Sequence, residues 1–187
     1  MRATLRASDA PALACRRGAC VLALLAAGFL AACAPELDWR EVASPEGGYA
    51  ALFPAKPELE SREVTIGGTR LALTMASVRK AGMAFGVAHA ELSADGADRA
   101  RLLDAARDAL VRNIGGRITA ERTVAVGGYT AREFVADGTA GGEPMHLAAR
   151  VLAADRRFYQ VVFIGREERA AEADVNLFLG SFRLLGN

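Results

Sequence analysis

The side chains able to do chemistry are few, and they are scattered. His89 and His146 are the two histidines, and nothing in the sequence pairs them. A metal centre needs two or three ligands at workable spacing with an open position, so a buried or rim position is the expectation for both. The serines beyond position 33 are Ser44, Ser61, Ser77, Ser93 and Ser181. None lies in a Gly-x-Ser-x-Gly elbow, and a triad assembled in space is left as an alternative. The Gly-Gly pairs make no nucleotide loop, since no Gly-x-Gly-x-x-Gly follows a strand and no Walker lysine is present. Glu167, Glu168, Glu172 and Asp174 are interleaved with Arg166 and Arg169. They read as a solvated helix start, where acidic residues suit the helix dipole. The expectation is no enzyme, no cofactor and no metal site.

Cys33 is the one position with a defined chemistry. Arg2, Arg6, Arg16 and Arg17 form a basic lead, opposed only by Asp9. Ala19 to Leu30 is an uncharged apolar run, which at about 1.5 Å per helical residue covers roughly 18 Å. That is short of the ~30 Å hydrocarbon core. A basic lead, a short apolar stretch and small residues before a cut site make a secretory signal over residues 1–32. A twin-arginine signal is the weaker alternative, since the residues flanking Arg16-Arg17 do not match it.

Leu30-Ala31-Ala32-Cys33 resembles the lipobox of bacterial lipoproteins. The resemblance implies diacylglyceryl modification of the Cys33 sulfur, cleavage before it, and acylation of the freed amine. Two chains suffice for stable anchoring. An ordinary signal peptide with a chance cysteine is the alternative. Ala34 follows, where aspartate is the usual inner-membrane retention signal, so the resemblance points to the periplasmic face of the outer membrane. The partners expected are the membrane, through Cys33, and an envelope protein.

The part from Cys33 onward holds nineteen basic and twenty-one acidic residues. Such a balance gives no electrostatic case for nucleic acid. Cys15 and Cys20 leave with the signal, so the remaining chain has no disulfide and must be stabilised by burial. Its length suits one domain.

The elements follow from pattern. Residues 33–47 read as a lipidated start and tether, with Trp39 at the start of a strand, and 48–187 as a single domain. Tyr49–Phe53 is a strand closed by Pro54 and Pro57. Gly67-Gly68 joins strands Glu58–Ile66 and Thr69–Arg79, because a type I′ turn requires positive φ twice. Met83–Leu92 is a strand with Met83, Phe85 and Val87 on one face and small residues Ala84, Gly86, Ala88 and Ala90 on the other. The small face suits a helix. Arg99–Ile114 is that helix, with Asp98 as its cap, Gly115-Gly116 as its stop, and Leu103, Ala106, Leu110 and Ile114 as its apolar stripe. Gly127-Gly128 joins Arg117–Val126 to Tyr129–Asp137. A loose turn, Gly138–Glu143, leads to Pro144–Ala153, and Asp155-Arg156 leads to Phe158–Gly165. That strand is apolar on both faces, which marks a central strand covered twice. Glu167–Ser181 reads as a closing helix. Together these give an α+β antiparallel sheet with helices on both faces.

The order Trp39, Gly48-Tyr49-x-x-Leu52-Phe53-Pro54-x-Lys56-Pro57, a helix before Gly115-Gly116, Tyr159 in an apolar strand, and Phe178-x-x-Ser181-Phe182 resembles the PsbP-like proteins. These include lipoproteins of the DcrB and LpqN type. The resemblance covers residues 39–186 and implies an α/β/α sandwich around an antiparallel sheet. It also implies a role in binding or assembling other proteins, with no binding residue carried over. A carrier of a small molecule or lipid is the second expectation, because alanine and glycine on strand faces leave space beside a helix.

Overall fold

The computed structural model describes residues 37–93, 98–170 and 175–186. Cys33 and the signal segment lie outside the described residues. The stretch from Leu37 to Asn187 forms one compact unit that holds both hydrophobic clusters.

Among the described residues ten strands and three helices follow in order: β1 Arg40–Ser44, β2 Tyr49–Phe53, β3 Glu58–Ile66, β4 Thr69–Lys80, β5 Met83–Glu91, α1 Arg99–Asn113, β6 Arg117–Val126, β7 Tyr129–Ala140, β8 Glu143–Ala154, β9 Arg157–Arg166, α2 Glu167–Ala170, α3 Val175–Ser181 and β10 Arg183–Leu184. Seven strands form the main antiparallel sheet in the order β3-β4-β5-β9-β8-β7-β6, and β1-β2-β10 form a small second sheet.

Strand β9 is central, as its two apolar faces require. Tyr159, Val161 and Phe163 belong to one cluster, which also holds Tyr49, Ala51 and Phe53 of the small sheet and Phe178 and Leu179 of α3. Phe85 sits in the middle of that cluster, with Trp39, Phe163 and Phe178 at 5.6, 5.2 and 5.3 Å between ring centroids. These edge-on pairs add to area burial. Phe158, Val162 and Ile164 face the other cluster, where α1 packs. The expected helix on each face is present, and the small sheet joins α3 on its side.

The structure changes four local readings. The folded body begins inside the stretch expected as tether: β1 pairs along the whole of β2, and Trp39 and Val42 pack on the core. The buried stripe of α1 is Leu102, Ala106 and Val111, capped by Ile114, with Leu103 and Leu110 on its flanks. The closing helix is two described pieces, α2 and α3, with 171–174 outside the described residues. The loose turn at Gly138–Glu143 is instead a two-residue Gly141-Gly142 turn between longer strands. Gly138 is a strand residue because the end of α1 touches it. A Cβ there would run into the Ile114 carbonyl oxygen, which accepts from Thr139 N at 2.8 Å.

Asp98 caps α1 as expected, accepting from Arg101 N at 3.1 Å. Gly115, at φ +54, ends it. A cross-strand ion row then locks α3 to the sheet. Arg122, Glu133 and Arg150 are successive register partners on β6, β7 and β8. The Glu133 carboxylate accepts from Arg122 Nε at 2.7 Å and Arg150 Nε at 2.5 Å. Arg150 also donates to the Leu179 carbonyl of α3 at 2.7 Å.

Candidate functional site

The two histidines are not brought together. His89 pairs across to Tyr159, and His146 pairs to Gly165. Six residues of β9 separate those partners, about 20 Å along a strand. His89 is half-buried and stacks obliquely on Tyr49 at 5.8 Å. Burial holds its pKa below 6.5; the nearby Arg157 adds to this, against the opposing pull of Glu91 and Glu46. His146 Nδ1 lies 2.8 Å from Asp137 Oδ1, its register partner on β7. The pair has two parts of a triad, but Ser44, Ser61 and Ser181 bond elsewhere, to Gly47 N, Thr74 and Leu52 N. Among the described residues no group of three or more His, Cys, Asp or Glu is placed to hold a metal. Glu167 and Glu168 open α2 beside Arg166 and Glu143 on an exposed hollow; Glu172 and Asp174 lie outside the described residues. Among the described residues no helix is long and apolar enough to cross a membrane.

Two concavities stand out. The first is a polar corner of about 480 Å3 where the β8–β9 turn, the β6–β7 turn and the chain end meet. The turn is tight: Asp155 adopts φ +48. Tyr129 donates its hydroxyl to Asp155 Oδ1 at 2.5 Å, and Arg99 donates to the Asp155 carbonyl at 2.5 Å. Arg157 Nε donates to Glu91 at 2.6 Å, and the buried Tyr159 hydroxyl donates to the Gly47 carbonyl at 2.9 Å. Burial pushes the Tyr159 phenol up and Tyr49, behind it, up to about 12. Both are neutral hydrogen-bonding groups at any physiological pH. Arg156 is exposed and makes no ion pair among the described residues. The corner therefore presents tyrosine and arginine, the side chains enriched where proteins bind one another.

The second is an apolar cleft of about 380 Å3 between the C-terminal half of α1 and strands β3, β4, β5 and β9. Val64, Ile66, Leu73, Met75, Leu110 and Val162 line it. Its floor is the small face of β5, Ala84, Gly86 and Ala88, as the alternating pattern requires. Its size falls in the roughly 300–1,000 Å3 range of small-molecule sites. The sequence pointed to this space but not to its buried polar member. Gln160, on the α1 side of β9, is 8% exposed and lines the cleft. A lone polar residue on an otherwise apolar strand face was the available signal.

The chain matches no protein-family model and no curated protein. Its backbone is similar to solved structures. The solution structure of cyanobacterial PsbP (CyanoP) from Synechocystis aligns with a TM-score of 0.53 at 14% identity, over 84% of this chain and 99% of that one. LpqN of Mycobacterium tuberculosis, described as involved in cell envelope biogenesis, aligns at 0.46 and 12% identity over 82% of each chain. At this identity the PsbP alignment speaks to architecture alone, and with the sheet order above it establishes that the chain has an antiparallel, PsbP-like fold flanked by helices.

Proposed function

We propose that this chain is a non-catalytic lipoprotein of the bacterial envelope, anchored through Cys33 to the periplasmic face of the outer membrane, that binds an envelope protein. One observation carries the binding role: the tyrosine–arginine corner lies at the far end of the small sheet from the point where the chain enters it. Asp38 N is bonded to the Pro54 carbonyl, beside the end of β2. Gly48, at the start of β2, lines the corner. The four residue steps from Cys33 to Leu37 span at most about 14 Å. An anchor at Cys33 therefore keeps the Leu37 end against the bilayer and turns the corner toward the periplasm. The distant histidines, each engaged with its own neighbours, support a role without catalysis.

A photo-crosslinking amino acid at position 156 of the full chain in living cells tests this. The expected result is a reproducible protein adduct that is lost with Tyr129→Ala and absent when the crosslinker sits at Glu60 on β3. No adduct at 156, or an equal one at 60, overturns it. For the anchor, Cys33→Ser yields an unprocessed, mislocalised precursor; unchanged maturation overturns the lipidation reading. The cleft beside α1 favours a second reading, a carrier of a small apolar molecule.

A further inference from the structure

We propose that the cleft beside α1 binds a single-chain acyl amphiphile with an anionic head, its chain against the β5 floor and its carbonyl or ester oxygen on the Gln160 amide. This deepens the carrier reading and rests on it.

The first observation is the chemistry of the walls. Val64, Ile66, Leu73, Met75, Leu110 and Val162 are all aliphatic or thioether. Phe85 also lines the cleft, but its ring packs in the opposite cluster against Phe163 and Phe178, so no aromatic face is offered for stacking by a planar ring, whereas a flexible alkyl chain fits such a surface, and methionine adapts to it. The floor is kept low by Ala84, Gly86 and Ala88. Gly86 needs no glycine-only conformation, since its φ is not positive. A Cβ there would meet Met75 Sδ at 3.7 Å and the Ala76 carbonyl at 3.9 Å, both ordinary contacts. In a central strand a β-branched residue is the stable choice. Glycine at this position gives up strand stability and keeps the cleft open.

The second observation is independent and polar. Gln160 lies between Ala88 and Val151 in the sheet. More than nine-tenths of it is buried, and its side chain makes no hydrogen bond among the described residues. Every fully enclosed side-chain nitrogen or oxygen among them does have a partner. The Gln160 amide must therefore open on the cleft it lines. A ligand that fills the cleft takes that amide away from water at a cost, and a ligand carbonyl or hydroxyl would offset it.

The third observation is charge at the mouth. Arg62 and Arg79 line the cleft and make no ion pair among the described residues. Glu58 and Glu60 share the face of the β3 edge with Arg62 but do not line the cleft. A carboxylate or a phosphate monoester at the chain head would complement either arginine.

The test uses the Leu37–Asn187 body with three probes of equal chain length: tetradecanoate, tetradecyl phosphate and tetradecanol. Each is measured by displacement of a dansyl-labelled fatty acid and by native mass spectrometry, below the micelle concentration. One bound anion per protein is expected, with the alcohol at least about threefold weaker. Which anion binds more tightly distinguishes a free fatty acid from a phospholipid-derived ligand. Gly86→Val fills the floor and should weaken binding by at least about tenfold, the scale of a methylene-sized clash in a pocket, with an unchanged or raised melting temperature. Gln160→Leu should weaken it roughly three- to tenfold, the value of a neutral hydrogen bond, without destabilising the fold. Anion binding that ignores both substitutions overturns the site. Alcohol binding as tight as anion binding, and blocked by Gly86→Val, overturns the anionic head and leaves the carrier reading standing. No binding of any probe to folded protein overturns both.

Discussion

Glu133→Leu tests how α3 is held to the sheet. Glu133 is 8% exposed and lies between Arg122 and Arg150. Burial pushes its carboxyl pKa up, but the hydrogen bonds from Arg150 and Arg122 outweigh that and leave it below 4.5. The substitution removes the anion and leaves the Arg150 guanidinium, whose side chain is 14% exposed, with only the Leu179 carbonyl. Breaking a buried pair from one side costs about 3–5 kcal/mol. The Arg122 arm is 69% exposed and adds at most about 1 kcal/mol. The lower end, about 3 kcal/mol, is therefore expected. With an m-value of about 1–3 kcal/mol/M, the urea midpoint falls by about 1–3 M at unchanged slope.

Urea titrations of the Leu37–Asn187 body, followed by far-ultraviolet circular dichroism and by Trp39 fluorescence, measure this. Glu133→Leu with Arg150→Met removes both charges together. It should cost about 1–2 kcal/mol, chiefly for the Leu179 carbonyl left without its donor. The acid limb gives a second readout. Because the folded pKa lies below the unfolded one, the carboxylate's contribution is complete above pH 4.5 and is lost as pH falls through the folded value; in the leucine variant that share of the slope disappears. A loss under about 1 kcal/mol in Glu133→Leu, or additive losses in the double variant, would refute the coupled row.

Three further outcomes follow from the same geometry. His89 has a folded pKa below 6.5, so its contribution is full above that pH and is lost as the solution is acidified; His89→Gln should flatten the melting-temperature profile between pH 7 and 5. Gly138→Ala drives a methyl into the Ile114 carbonyl and should cost at least about 2 kcal/mol, as overpacking does, read as a lower urea midpoint. Tyr159→Phe removes the donor to the Gly47 carbonyl, costs about 1 kcal/mol, and should lower the melting temperature by about 2–4 °C.

The hairpins were legible because glycine pairs fix both turn and register. Residues equidistant from Gly67-Gly68 and from Gly127-Gly128 do face one another, apart from the slip between Ile118 and Ala120. Gly141-Gly142 carried the same information. Read as a two-residue turn, it places Asp137 opposite His146 and Glu133 opposite Arg150, the pairs found. The reading failed there because Gly138 and Pro144 both look like turn residues. Gly138 is instead required by a backbone contact from α1, which is remote in sequence.

The sequence alone determined what depends on neighbours along the chain: alternation in the strands, the Asp98 cap, the turns, and the central place of a strand apolar on both faces. These are local because side-chain direction repeats every two or 3.6 residues. Only the tertiary structure decided what depends on distance through space. It showed which strand edge meets which, that β1 and β2 leave the main sheet to cover it with α3, and that the corner and the cleft lie where they do. Both concavities are built from residues a hundred or more positions apart, and no spacing rule links Gly86 to Leu110 or Gln160. The packing of α1 across the small face of β5 does.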